Sequence, residues 1–286
     1  MDCLSVQAPC PLCSSYRTNL YRSILRSYAD QQYTLELRRC SKCEFVFLAN
    51  NPNIEYDEDY LYREGVVTVD SLVSQFRAEE RISSIAKSVL ADSRNRFLDI
   101  GIGDGCLLSI AEGAGYDTYG LDVNSATATL ARQIYNLRSQ LHIGSFETAF
   151  PDKTFDVIHM NEVIEHIGMP MPLLHWCRKK LNHNGLLVIQ TGNVESLVSR
   201  IKGKRWDYFR PVHVSYFSTK SLRFALECAG FQVVSISTID WRLSSSMQVT
   251  KAIIKEHGVR KAVAFLSLFL TALPYGIRRS MIFHAK

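Results

Sequence analysis

Phe97-Leu98-Asp99-Ile100-Gly101-Ile102-Gly103-Asp104-Gly105 is the stretch that decides the fold. It reads as a short apolar strand running into an Asp-x-Gly-x-Gly-x-Gly turn, whose glycines permit a tight backbone and its close approach to a ligand. Seventeen residues past Gly105 a second strand, Tyr116 to Leu121, ends in Asp122. An acid at that spacing can accept hydrogen bonds from both hydroxyls of a ribose. The pair predicts the first β-α-β unit of a nucleotide-binding α/β domain. Dinucleotide sites use a Gly-x-Gly-x-x-Gly spacing that sets a helix N-terminus against a pyrophosphate. Here Asp99 and Asp104 would repel a pyrophosphate and suit a cationic ligand.

Further strands are expected at Leu141–Ile143, Phe155–Met160, Leu186–Gln190, Phe231–Ser237 and Met281–Ala285, with helical segments between most of them. That alternation predicts a mostly parallel sheet covered on both faces. With 286 residues, 47% hydrophobic and 21% charged, the chain has room for one large α/β domain and a small appendage. Met1-Asp2-Cys3-Leu4 has no basic region followed by an apolar run, so a cytoplasmic, reducing setting is expected. Eight cysteines in such a setting argue for metal ligation over disulfides.

Four of those cysteines are paired in sequence. Cys10-Pro-Leu-Cys13 and Cys40-Ser-Lys-Cys43 stand 26 residues apart, around a segment (Tyr33 to Leu37) that alternates like a strand. Two such turns can complete a tetrahedral, structural Zn²⁺ site, a zinc ribbon. Cys3, Cys106, Cys177 and Cys228 stand singly and read as ordinary thiols. The expected organisation is a ribbon over 1–50, a linker and N-terminal helices over 51–95 (Phe76, Ile82, Ile85 and Val89 on one face), a core over 96–240, and a C-terminal helical insertion and last strand over 241–286. The last region carries eight Lys/Arg against one acid, so it is the basic part of a chain of net charge +5. Within it, 262–277 is apolar but shorter than the ~20 residues that span a bilayer. It reads as a core or homodimer helix, with an interfacial membrane contact as the alternative.

Beyond Asp122, the chain offers Asn161-Glu162-Val163-Ile164-Glu165-His166. On a helical turn Glu162, Glu165 and His166 would share one face and could hold a divalent ion. His166 and His213 could alternatively act as proton acceptors without metal. Trp206, Tyr208 and Phe209, among Lys202, Lys204, Arg205 and Arg210, could stack on a sugar or base, or form a partly buried loop with a basic edge.

Taken together, "FLDIGIGDG", "YGLDVN", "FDVIHMNEVIEHI", "LNHNGLLVIQTGN", "PVHVSYFSTKSLRFALECAGF", "EYDEDY" and the cysteine pairs resemble the class I S-adenosylmethionine-dependent methyltransferases. The nearest branch is the zinc-ribbon-bearing, ubiquinone-methyltransferase-like one. The resemblance implies a doubly wound, mostly parallel seven-stranded Rossmann-like sheet with a small N-terminal zinc ribbon. It implies S-adenosylmethionine near Asp99, Gly101, Ile102, Gly103 and Gly105, with Asp122 and Val123 at the ribose, Ser145 and Phe146 at the adenine, and Asn161 facing the cofactor. Tyr56 and Tyr60 would close over the methionine end. Ser145 stands where many relatives carry Asp.

The Glu-x-x-Glu-His array also resembles that of Mg-assisted O-methyltransferases of the ubiquinone pathway and of small-RNA 3′ ends. In the small-RNA enzymes a later His completes the site, and His213 lies in a comparable place here. Glu165, His166 and His213 are thus the catalytic candidates, with Glu162 added if Mg²⁺ binds. The expected activity is methylation of a small-molecule or glycan hydroxyl, lipid-linked acceptors included, which would place the protein at the inner face of a membrane. An RNA methyltransferase reading through its ribbon is the alternative, although residues 1–50 lack a dense basic stripe. A non-catalytic protein that kept the fold is the third.

Overall fold

The structure, a computed structural model, describes residues 9–52, 54, 78–79, 81–83, 85, 95–239 and 280–286. Tyr56, Tyr60, Phe76, Val89, Cys3 and the apolar segment 262–277 lie outside these residues. Ile82 and Ile85 are described, helical and buried.

Among the described residues, seven strands form the central sheet. They are β4 (Arg96–Ile100), β5 (Asp117–Asp122), β6 (Gln140–Ile143), β7 (Phe155–Asn161), β8 (Leu181–Gly192), β10 (Val233–Ile239) and β11 (Ser280–Ala285). Their order is β10-β11-β8-β7-β4-β5-β6. The five strands from β8 to β6 run parallel. β11 is inserted antiparallel between β8 and β10. The order reverses beside β4, so the crevice past the ends of β4 and β7 is where such a sheet binds ligands.

The two covered faces explain the sequence of β4. Leu98 and Ile100 belong to one apolar cluster and Phe97 to the other, all buried, as a strand with alternating side chains between two layers requires. Fully burying each such side chain contributes roughly 1.5–3 kcal/mol. Helices α1 (Cys106–Gly113), α2 (Ser125–Tyr135), α3 (Pro170–Lys180), α4 (Leu197–Lys202) and α5 (Thr219–Cys228) connect the strands. Their ends are written locally. Asn124 caps α2 by accepting from the Ala126 N–H, Pro170 opens α3, and Ser218 with Ser221 forms a reciprocal cap on α5.

The N-terminal strands are β1 (Thr18–Tyr28), β2 (Gln31–Cys40) and β3 (Val46–Leu48). β1 and β2 form a hairpin through Ala29 and Asp30, both at positive φ. The fourth strand of this sheet comes from the other end of the sequence: β9 (Ser215–Tyr216) pairs with β3, Val46 against Tyr216 and Phe47 against Ser215. The apolar interior is likewise shared. Cys10, Cys40, Cys43, Phe45 and Phe47 pack in the cluster that holds Phe217 and Leu222.

Candidate cofactor and acceptor site

Gly101, Gly103 and Gly105 all take positive φ, at 80°, 58° and 83°, where an L side chain is strained. A Cβ on Gly101 would come within 2.4 Å of Val163 Cγ2, and one on Gly105 within 2.5 Å of Ala131 Cβ. Gly101 thus lets the segment after β7 close on the turn, and Gly105 lets α1 pack on α2. Asp104 Oδ1 accepts the Cys106 N–H at 3.0 Å and so satisfies a donor of the first turn of α1.

Asp122 joins the turn to the end of β5. Its Oδ2 accepts from the Ile102 N–H at 3.0 Å and its Oδ1 from the Asn124 N–H at 2.9 Å. Burial pushes this carboxyl above its usual range, and the two amides partly offset that. Each oxygen keeps acceptor capacity for a ligand hydroxyl.

Asp99 is paired within the sheet. It lies opposite His159 in the β4–β7 ladder, and its Oδ1 is 2.8 Å from His159 Nδ1, both residues buried. Position 99 faces the same layer as Phe97, so its side chain braces the turn from within the sheet.

Asn161 ends β7, and its Oδ1 accepts from Arg81 Nη2 at 3.1 Å. The same nitrogen reaches Gln190 Oε1 on β8 at 3.0 Å. Val123 is 65% exposed at the end of β5, an apolar surface next to Asp122. Past β6, exposed Ser145 caps the short 3-10 turn Phe146–Thr148, with Phe146 half-buried edge-on to Trp176.

Glu162, Glu165 and His166 do not lie on an α-helical face. Glu162 takes φ 54°, and only Ile164–His166 form a 3-10 turn. The turn drives Glu165 fully inward, where Oε1 accepts from Tyr208 Oη at 2.5 Å and Oε2 from Thr191 Oγ1 at 2.8 Å. Burial pushes the Glu165 carboxyl up, opposed by hydrogen bonding with Tyr208, its own backbone N–H, Thr191 and Glu162. The Tyr208 phenol is pushed well up by its own burial and by the charges of Glu162 and Glu165.

His166 and His213 meet edge-on, ring centroids 4.7 Å apart. His166 Nδ1 is 3.0 Å from the Val212 carbonyl and His213 Nδ1 2.7 Å from the Tyr208 carbonyl. A carbonyl only accepts, so each Nδ1 carries a proton, and that bond fixes the orientation of each ring. Ligand atoms of Glu165, His166 and His213 lie within 4.8 Å of one another; Glu162 is not in that group.

Trp206, Tyr208 and Phe209 are at most 2% exposed. They pack with Ile24, Leu35, Leu37, Val46 and Leu48 of the hairpin sheet, so they form an interior and not a stacking platform. Tyr208 and Thr191, which hold Glu165, carried no spacing signal in the sequence, because their meeting depends on the fold.

The four paired cysteines form a closed cluster. Cys10 and Cys43 sulfurs are 3.6 Å apart, as are those of Cys13 and Cys40. Thiolates at ~2.3 Å around one tetrahedral ion sit about 3.8 Å apart, whereas a disulfide needs about 2.05 Å. The two turns repeat one design. Ser14 and Glu44, each after the second cysteine, take positive φ, and their N–H groups bond to the Cys10 and Cys40 carbonyls at 2.9 and 3.0 Å. The hydrogen bond from Cys43 holds the Cys10 thiol below its ordinary range.

A family model described as a methyltransferase domain matches residues 75–236. The chain belongs to this methyltransferase family. It carries a class I S-adenosylmethionine-dependent methyltransferase domain, and the sheet order and glycine turn are those of that fold. Among curated relatives, a ubiquinone biosynthesis O-methyltransferase of Pasteurella multocida is 30% identical over 40% of this chain and 52% of its own. One of Rhodopseudomonas palustris is 29% identical over 60% and 74%. The chain thus spans about half the length of the first of these relatives. Among solved structures, a SAM-dependent methyltransferase from Archaeoglobus fulgidus matches with TM-score 0.53 and 22% identity, over 80% of this chain and all of that one. Coclaurine N-methyltransferase, bound to S-adenosylhomocysteine, matches with TM-score 0.51 and 14% identity, over 77% and 74%. No helix among the described residues is long and apolar enough to cross a membrane.

Proposed function

We propose that this chain transfers a methyl group from S-adenosylmethionine to a hydroxyl of a small-molecule or glycan acceptor. The observation that carries the reading is the facing pair His166 and His213, their rings edge-on and each held in orientation by an Nδ1–H bonded to a backbone carbonyl. The pair is joined to the cofactor turn through Val163, which closes on Gly101. Oxygen is favoured because the matched relatives are O-methyltransferases by name.

The cofactor supplies an electrophilic methyl group on a cationic sulfur. The chain's residues do the rest. Asp122 binds the ribose hydroxyls, the Gly101–Gly105 turn fits the amino-acid end without side-chain obstruction, and Val123, Ser145 and Phe146 border the adenine. An imidazole Nε2 accepts the acceptor hydroxyl's proton as the oxygen attacks, and the fixed ring orientation makes that geometry unimolecular. The closeness of Glu165, His166 and His213 favours a second reading in which they hold a divalent ion that acidifies the acceptor hydroxyl. The cysteine cluster is assigned a structural Zn²⁺.

The test is incubation with methyl-labelled cofactor and a panel of phenols, catechols, sugars and amines. Label in a methyl ether supports the reading. Cofactor binding without label in any hydroxyl, but with label in an amine, overturns it.

A further inference from the structure

We propose that Arg26, on the N-terminal hairpin, is a positioning residue of the methyl-transfer site. This rests on the reading that Glu165, His166 and His213 form the acceptor side. Arg26 Nε donates to the Phe209 carbonyl at 2.8 Å, and its Nη2 donates to the Lys204 carbonyl at 2.5 Å and the Trp206 carbonyl at 3.2 Å. The loop from 204 to 209 has no strand or long helix to pair its carbonyls; the Trp206 carbonyl takes the Phe209 N–H, and Arg26 adds donors there and at Lys204 and Phe209. A guanidinium offers several in one rigid plane, each charge-assisted.

The carbonyls it holds stand on both sides of Tyr208. That residue has two duties in the site: its hydroxyl donates to Glu165, and its carbonyl accepts the His213 Nδ1–H. Holding residues 206 and 209 therefore fixes the direction of both groups, and with them the tautomer of His213. The far end of the loop is held by the same sheet. The Leu48 N–H donates to the Val214 carbonyl at 2.9 Å, and the Val214 N–H donates to the Glu165 carbonyl at 2.9 Å. The cysteine-bearing hairpin is thereby a wall of the site and not a detachable module.

The experiment follows the Nδ1–H proton of His213 by NMR in the whole chain, identified by its loss in His213→Gln. In Arg26→Gln this proton should exchange with solvent roughly tenfold faster, or vanish, because the carbonyl that accepts it is no longer held. Cofactor affinity should stay within about twofold, since the cofactor turn does not touch Arg26. Arg26→Lys, with one donor group and the charge retained, should fall between. An unchanged His213 signal in Arg26→Gln overturns the proposal, and so does failure of both variants to fold, which would assign Arg26 to general stability. If the wild-type chain bound no cofactor, the methyl-transfer reading would fail while the His213 comparison still gave its own answer.

Discussion

Glu165 and Tyr208, 43 residues apart in sequence, share a 2.5 Å hydrogen bond in the buried interior beneath the two histidines. The phenol also accepts the Gly192 N–H at 2.9 Å, so it stands between a carboxyl and a strand end. Tyr208→Phe would leave both groups without this partner, which costs about 1–3 kcal/mol for each buried polar group orphaned. Urea unfolding should show that loss, with the midpoint lower and the slope unchanged.

Burial holds the Glu165 carboxyl above its ordinary value of 4.5, so the native state binds this proton more tightly than the unfolded chain. The stability it contributes is full below that ordinary value and is lost as pH rises through the raised native one. Glu165→Gln removes the titration while preserving the shape. Relative to wild type, the variant should therefore gain in melting temperature between pH 5 and pH 8. A constant difference across that range would show that Glu165 does not titrate as its burial demands.

Cofactor affinity should depend on Gly101 and Asp122. Gly101→Ala meets Val163 Cγ2 at 2.4 Å with φ at 80°, so the turn must deform. Asp122→Ala should weaken S-adenosylmethionine binding by ~1–3 kcal/mol through lost charge-assisted bonds. Calorimetry on both variants checks this, and unchanged affinity in both would contradict the assigned cofactor site.

Metal analysis should find about one zinc per chain on the four cysteines. Because Cys40 and Phe45 pack in the same cluster as Phe217 and Leu222, chelation should lower the melting temperature of the whole chain in one transition. An independent, early-melting N-terminal unit would instead point to separate cores.

Divalent-ion dependence separates the two readings of the histidines. With His166 or His213 acting as base, methyl transfer survives EDTA and its rate falls toward acid pH as the base becomes protonated. Loss of turnover in EDTA with cofactor affinity intact, restored by Mg²⁺, would select the metal reading.

The β4–α1–β5 unit was legible because two physical demands coincide in it. A parallel strand buried on both faces must be apolar, and a turn near φ +80° must be glycine. The cysteine pairs were legible because thiolate spacing is local. Where side chains meet across the chain, composition was silent. Aromatic and basic residues from Lys202 to Arg210 are compatible with a stacking surface or an interior, and only the pairing of Ser215-Tyr216 with Val46-Phe47 turns the rings inward. The Glu162–His166 spacing suggested a helical face, but Glu162 bonds through its N–H to the Gln190 carbonyl and takes a left-handed conformation. Nothing local in the sequence marks His159 as the partner of Asp99.

The most direct measurement of the central claim is transfer of labelled methyl from S-adenosylmethionine into an extract of the host, comparing wild type with His213→Gln and identifying the labelled product. Label in a methyl ether is expected, with the variant slower by roughly 10²-fold or more and its cofactor affinity unchanged. Label on nitrogen or carbon, or equal rates for the two proteins, would contradict that claim.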